Sequence, residues 1–354
     1  MKFDILQGLR GVAAALVVGF HAMGEALRLY PDASGLLFAL FSAGGIGVDL
    51  FFVVSGFIIA MTADGAAGLG AGLAYLRKRI VRIVPLYWVF TLLLALSMLT
   101  DFPLLTASVP VTPDWLAASL LFAPSTLADR FTPIVFIGWT LNYEMLFYLL
   151  VFVAILLGRA ALAPALILAL VALGLAAPGG ERATWYNFVT NPIMIEFVLG
   201  YAVFLVHKTA CVGRGVSLAI IAAGTILFLA SYIVLPEVSA TMRPLVNGPL
   251  LAIQILGIVT FETASPRFPV PRWITRSGDA SYSIYLLQAV TLPIATPVLV
   301  GLGLAPLGPD FVAASIVAAT VALGILVHDR IELPLMSLAR AVIPAPAVAA
   351  RGVT

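Results

Sequence analysis

The sequence predicts an all-α, polytopic membrane protein of about ten transmembrane helices, with both termini in the cytoplasm. Three observations carry this. Only 10% of the 354 residues are charged, against roughly a quarter in soluble domains. Apolar residues make up 62% of the chain, and mean hydropathy is +1.11. They also gather in stretches near the length of about 20 residues that a helix needs to cross a hydrocarbon core about 30 Å thick. So apolar a chain is not a disordered one, and a formal net charge of +2 offers no basic surface for nucleic acid.

Cut at charges and Pro/Gly clusters, the apolar stretches fall at about 9–27, 45–63, 84–100, 134–157, 160–178, 190–207, 215–235, 245–261, 280–301 and 310–328. The run from Trp115 to Phe122, between Pro113 and Pro124, is too short to span and reads as an interfacial or re-entrant piece. Gly11 to Phe20 has the length of a signal-peptide core, but Arg10 and His21 lie inside the apolar stretch 9–27 that contains it, so it reads as an uncleaved first helix. The tail from Ala341 is rich in Ala and Pro and reads as mobile. The organisation expected is one membrane domain over 1–334 and a short cytoplasmic tail over 335–354.

Orientation follows from the cations. With the N-terminus inside, Lys2, Arg10, Arg77, Lys78, Arg79, Arg82, Arg159, Lys208, Arg214, Arg267, Arg272, Arg276, Arg330, Arg340 and Arg351 fall in the cytoplasm. Only Arg28, Arg130, Arg182 and Arg243 fall outside. The single cysteine, Cys211, cannot form an intrachain disulfide or a thiolate metal site by itself. The three histidines are far apart, so no metal site is expected.

An ionisable group within a span costs at least a few kcal/mol, which makes each one a functional candidate. Arg10 and His21 are 11 residues apart, a rotation of three turns plus about 20°, and so share a face about 16 Å apart along the axis. A mid-membrane imidazole can take a proton from a hydroxyl or act as a transient nucleophile. The plainer reading is a helix-packing histidine with a positive-inside arginine anchor.

The connection before the third helix carries Arg79-x-x-Arg82. Two guanidinium forks on one face can grip phosphate, although a basic loop also serves orientation and lipid contact. Asp49 stands near the outer end of the second helix, where it could orient an imidazole or cap the helix, and Ser55 and Gly56 lie deeper. Glu144 sits about ten residues into the fourth helix, at a depth like that of His21. Pairing with His21 or with an acceptor hydroxyl would satisfy it. Glu196 lies in the sixth helix, and Ser281, Tyr285 and Gln288 near the ninth supply hydroxyls and an amide for a polar cavity or for helix contacts.

Together these pieces resemble the integral-membrane acyltransferase 3 family. The matching segments, in order, are Gln7-Gly8-Leu9-Arg10 with His21, GVDLFFVVSGF at 47–57, the RxxR segment leading to Pro85-Leu-Tyr-Trp88, WTLNYEMLFYL at 139–149 and SYSIYLLQ at 281–288. The likeness is closest to members that O-acetylate bacterial exopolysaccharides. It implies a multi-pass enzyme of the bacterial inner membrane that moves an acyl group, usually acetyl, from cytoplasmic acyl-CoA to a hydroxyl of a surface polysaccharide or lipid-linked glycan. No permanently bound cofactor is implied, acetyl-CoA being the donor substrate.

On that resemblance Arg10 and His21 are the family's Arg/His pair, with His21 the imidazole needed for transfer, and Arg79 and Arg82 are its RxxR pair. Read from the residues themselves, Arg10, Arg79 and Arg82 hold the donor, Glu144 binds or polarises the acceptor or holds the imidazole tautomer, Asp49 joins the catalytic group, and Asn142, Tyr143, Glu196, Ser281, Tyr285 and Gln288 are expected to face the acceptor. Family members often carry His where this chain has Gln288, so no role for a second histidine carries over. The alternative is a proton-coupled transporter or flippase of a polar glycan, with the buried His, Asp and Glu as proton carriers. A purely structural scaffold would leave His21 and Glu144 unexplained.

Overall fold

The computed structural model describes residues 3–100, 110–124, 132–176, 184–234, 239, 241–266 and 268–345. Lys2, Arg130, Arg182, Arg267 and Arg351, counted above for orientation, and the end of the tail lie outside the described residues.

The described chain is helical. Its first helices are α1 (Asp4–Leu29), α2 (Leu36–Ser42), α3 (Ile46–Ala63), α4 (Gly68–Leu99), α5 (Pro113–Leu120), α6 (Trp139–Leu156) and α7 (Leu162–Ala176). After these come α8 (Thr184–Val189), α9 (Ile195–Thr209), α10 (Arg214–Val234), α11 (Arg243–Ala264), α12 (Arg272–Asp279), α13 (Ser281–Gly301), α14 (Pro309–Val327) and α15 (Leu333–Val342). Among the described residues nine helical stretches are long and apolar enough to cross a membrane. The fifth expected span appears as α7, whose 15 described residues fall short of that length.

Two boundaries differ from expectation. The basic segment is no connection: α4 begins at Gly68 and runs unbroken through Arg79, Arg82 and Pro85 to Leu99. Nothing from Tyr75 to Val84 breaks a helix. Long arginine stems can lie along an apolar helix while their heads seek polar partners, so a charge run need not mark a loop. At the other end, α14 passes through a π-helical turn, His328–Glu332, directly into α15. Much of the stretch expected as a tail is therefore helix.

The chain forms two compact units, each assembled from three separate stretches. Unit 1 comprises Met1–Val48, Leu86–Asn142 and Pro269–Leu335, and unit 2 comprises Asp49–Pro85, Tyr143–Phe268 and Met336–Thr354. In unit 1, α1 packs on α12, α13 and α14. Its buried face is built of small residues, Gly8, Gly11, Ala13, Ala14, Gly19, Ala22 and Ala26 among them, which lets backbones approach closely. A Cβ at Gly11 would lie 2.3 Å from the Ser277 hydroxyl, so any larger residue there would force α12 away from α1.

In unit 2, α11 packs on both α9 and α10. Gly200 of α9 meets α3, where a Cβ would come within 2.0 Å of the Val53 carbonyl oxygen. Arg77 of α4 donates to the carbonyls of Arg340 (2.8 Å) and Ile343 (2.7 Å). Those carbonyls close α15 and have no helical N–H ahead of them, so the arginine caps the helix.

Candidate active site

The α1 face that carries Arg10 and His21 is the starting point. Arg10 donates to the Gln7 side chain (3.3 Å), and Gln7 donates to Asp279 (2.9 Å), which fixes this end of α1 against α12. Towards the other end of the helix, the His21 ring meets Phe20 and Phe136 edge to face, with centroids 5.4 and 5.2 Å away. Its Nδ1 lies 2.8 Å from Oε1 of Gln288, a fully buried residue of α13.

Donor and acceptor at this contact can be deduced. The Gln288 amide nitrogen donates to the Tyr285 carbonyl at 2.8 Å, and a carbonyl can only accept. Oε1 must therefore be the atom that faces His21, and it too can only accept. The proton lies on Nδ1, and in the neutral ring Nε2 keeps its lone pair. A histidine oriented by a carbonyl oxygen at Nδ1 has the form needed for general base or nucleophile chemistry at Nε2.

The same imidazole lines a cavity of about 480 Å³, together with Phe20, Phe136, Ala289, Leu292 and Pro293. That volume falls within the range of roughly 300–1,000 Å³ common to small-ligand sites. Tyr285, outside the lining, braces the turn that carries Phe136. Its hydroxyl lies 2.9 Å from the Thr140 hydroxyl and 3.1 Å from the Ile137 carbonyl, tying α13 to the 3₁₀ turn Phe136–Gly138 that presents Phe136. Ser281 is buried in the first turn of α13, and Asn142 is buried with its amide 3.5 Å from the Ala123 carbonyl.

Unit 2 holds the remaining candidates in two groups. In the first, the Arg79 guanidinium lies over the rings of Tyr75 (5.5 Å) and Tyr148 (5.7 Å) and donates to the Thr62 hydroxyl at 2.6 Å. Glu144 accepts from the Tyr148 hydroxyl and from Ser55 (3.2 Å). Its carboxylate thus braces the aromatic pair under Arg79, whereas His21 takes Gln288 as partner. Arg82 approaches the Met336 sulfur at 3.8 Å. Tyr143 stacks on Phe188 with centroids 4.7 Å apart.

In the second group, Asp49 and Glu196 are both 0% exposed and lie side by side. Asp49 lies 2.9 Å from the Arg243 guanidinium as an ion pair and accepts a hydrogen bond from Asn247 (3.3 Å). Asp49 is one half of an ion pair whose carboxylate is fully buried and whose Arg243 side chain is 33% exposed.

Four features escaped the reading of the sequence. Gln288 as the partner of His21 is a contact over 267 positions and leaves no local trace. Arg243 and Asn247, four apart on one face of α11, carried a signal that could have been read. So did His328 and Glu332, also four apart, which pair at 2.8 Å with Ser283 donating to the same carboxylate oxygen at 2.7 Å. Glu25 and Arg28, which line the cavity, continue the Arg10–His21 stripe and would have emerged had the rotation been carried one turn further. Among the described residues no group of three or more His, Cys, Asp or Glu side chains could hold a metal ion.

Comparison with known proteins supplies the family. The acyltransferase 3 family model, described as an acyltransferase domain, matches residues 3–329. The exopolysaccharide production protein ExoZ of Rhizobium meliloti (strain 1021) is 30% identical over 311 residues, covering 85% of this chain and 92% of that protein. The acyltransferase MdmB of Streptomyces mycarofaciens is 26% identical over 375 residues, covering 96% of this chain and 92% of its own length. No solved structure matches the chain. The chain belongs to the acyltransferase 3 family and is a multi-pass membrane enzyme that transfers acyl groups.

Proposed function

We propose that this enzyme O-acylates an exported or surface polysaccharide, using acetyl-CoA from the cytoplasmic side of the bacterial inner membrane. The observation that carries the reading is the His21 geometry: Nδ1 held by Gln288, in a ring that lines a ligand-sized cavity. The likeness to an exopolysaccharide production protein supports the choice of acceptor.

In this reading the acceptor hydroxyl gives its proton to Nε2 of His21 while its oxygen attacks the thioester carbonyl. A C–O bond forms, the C–S bond breaks, and the imidazolium returns the proton to the departing thiolate, leaving an ester and free CoA thiol. A transient acyl-imidazole would use the same nitrogen in two steps. Gln288 holds the tautomer and stabilises the imidazolium through Nδ1–H. Arg10, about 16 Å along α1 from His21, and the pair Arg79 and Arg82 bind the donor phosphates. Tyr75, Tyr148 and Glu144 preorganise Arg79 from below. Asp49 and Glu196 act through the buried ion pair rather than on the reacting atoms.

The test is mass analysis of the exported polysaccharide from cells with and without the gene. Loss of acetyl esters, restored by the wild-type gene and not by His21→Ala, is the expected result. Ester content that is the same in both strains would overturn the reading.

A further inference from the structure

The polar stripe of α1 does not end at His21. Glu25 is 4 residues on, a rotation of about 40° past one full turn, and Arg28 is 7 residues on, about 20° short of two turns. Both therefore share the face of Arg10 and His21, roughly 6 and 10 Å beyond the imidazole along the axis. Both also line the cavity that His21 lines. They pair with each other, Arg28 donating to Glu25 at 3.0 Å, with the Glu25 side chain 16% exposed and that of Arg28 71% exposed. The cavity thus has an imidazole on its wall and a carboxylate–guanidinium pair displaced from it, away from Arg10.

The remaining lining is of a particular kind. Phe20 and Phe136 are 39% and 38% exposed. Pro293 and Ala289 line it too, and Pro293 has no N–H to offer the carbonyl of Ala289, four residues earlier. Aromatic faces cover the C–H faces of a sugar ring, a carboxylate accepts from vicinal hydroxyls, and a guanidinium donates to hydroxyl and ring oxygens. A few placed polar groups in an otherwise apolar cavity are how small-molecule sites set orientation.

We infer that the cavity framed by Glu25, Arg28, Phe20 and Phe136 is the acceptor subsite, which takes a pyranose ring of the glycan and turns one hydroxyl towards Nε2 of His21. Glu25 and Arg28 are its specificity-determining residues. The inference rests on the acyl-transfer reading above. It divides α1 by function: Arg10 serves the donor and the Glu25–Arg28 end serves the acceptor.

The test uses full-length protein in lipid nanodiscs, radiolabelled acetyl-CoA, and exported polysaccharide from the producing cells, stripped of its esters by alkali and cut into oligosaccharides. Steady-state constants for both substrates are measured for wild type, Glu25→Gln, Arg28→Met and Phe136→Leu, each checked for a wild-type melting temperature. Removing one charged hydrogen-bond partner should raise the acceptor KM by about tenfold in Glu25→Gln and Arg28→Met, with the acetyl-CoA KM within about twofold of wild type. Phe136→Leu, which keeps apolar bulk and loses the ring, should raise the acceptor KM by a few-fold. Unchanged acceptor constants in all three variants overturn the inference. So does a rise in the acetyl-CoA KM alone, which would give the cavity to the donor. Arg28 is mostly exposed, so its variant should fold even if Glu25→Gln does not. If wild type itself transfers no label, the fault lies with the acyl-transfer reading, and failure of the subsite alone leaves wild-type transfer intact.

Discussion

His21 in unit 1 and Asp49 in unit 2 both place an ionisable side chain within apolar helices, yet their surroundings differ in kind. Asp49 is 0% exposed, with Arg243 and Asn247 on its carboxylate and Glu196 alongside. His21 has one nitrogen committed to Gln288 and lines a cavity of about 480 Å³. A buried carboxylate held by a cation and an amide from another helix ties helices together. An imidazole held at one nitrogen, beside space for a ligand, is equipped to react. Depth in the membrane alone does not distinguish the two, and the partners do.

The comparison can be broken from either side. The largest effect on stability is expected at Asp49. Arg243→Met leaves a buried carboxylate without its cation; because the Arg243 side chain is 33% exposed, the loss should fall below the roughly 3–5 kcal/mol of fully buried pairs. The purified variant should melt well below wild type, and the double variant Asp49→Asn/Arg243→Met should recover part of the loss. An unaltered melting temperature in Arg243→Met would remove the ion pair from this account.

At His21 the expected effect is on rate. Gln288→Leu deletes the acceptor for Nδ1–H while keeping similar bulk. Its kcat should fall by about tenfold or more, a barrier increase of at least roughly 1.4 kcal/mol. Gln288→His keeps a ring nitrogen able to accept and should retain more activity than the leucine variant. Equal rates in wild type and Gln288→Leu would show that the tautomer does not matter.

The smallest effect belongs to the aromatic pair under Arg79. Cation–π contacts contribute about 0.5–2 kcal/mol depending on burial, so Tyr148→Leu should raise the acetyl-CoA KM by roughly two- to thirtyfold. Tyr148→Phe keeps the ring and loses only the hydroxyl donated to Glu144, so it should lie between that variant and wild type. A larger change in the acceptor KM than in the acetyl-CoA KM would place this group on the wrong substrate.

Much of this was legible in the sequence, for reasons that can be stated. Span positions follow from apolar run length, and the shared face of Arg10 and His21 follows from helix rotation alone. The same rotation reaches Glu25 and Arg28, which lie on the face but past the residue where the eye stops. The basic segment of α4 misled because charge is ordinarily a mark of loops, whereas arginine stems with aromatic and hydroxyl partners are compatible with a continuous helix. The i, i+4 spacing of Arg243 and Asn247 was legible, but their pairing with Asp49 and that of Gln288 with His21 were not, since Asn247 is 198 positions from Asp49 and Gln288 is 267 from His21. The two units were equally hidden, because each draws on three stretches of chain and four of their five boundaries fall within helices.

The most direct test of the central claim is single-turnover transfer from radiolabelled acetyl-CoA to the de-esterified polysaccharide by His21→Gln protein in nanodiscs. Wild-type melting temperature and wild-type acetyl-CoA binding serve as controls for folding. Loss of a positioned general base costs about 10²–10⁴-fold, and the account predicts a rate constant lower by at least the smaller of those factors, with donor binding unchanged. A His21→Gln enzyme that transfers acetyl at the wild-type rate would contradict it.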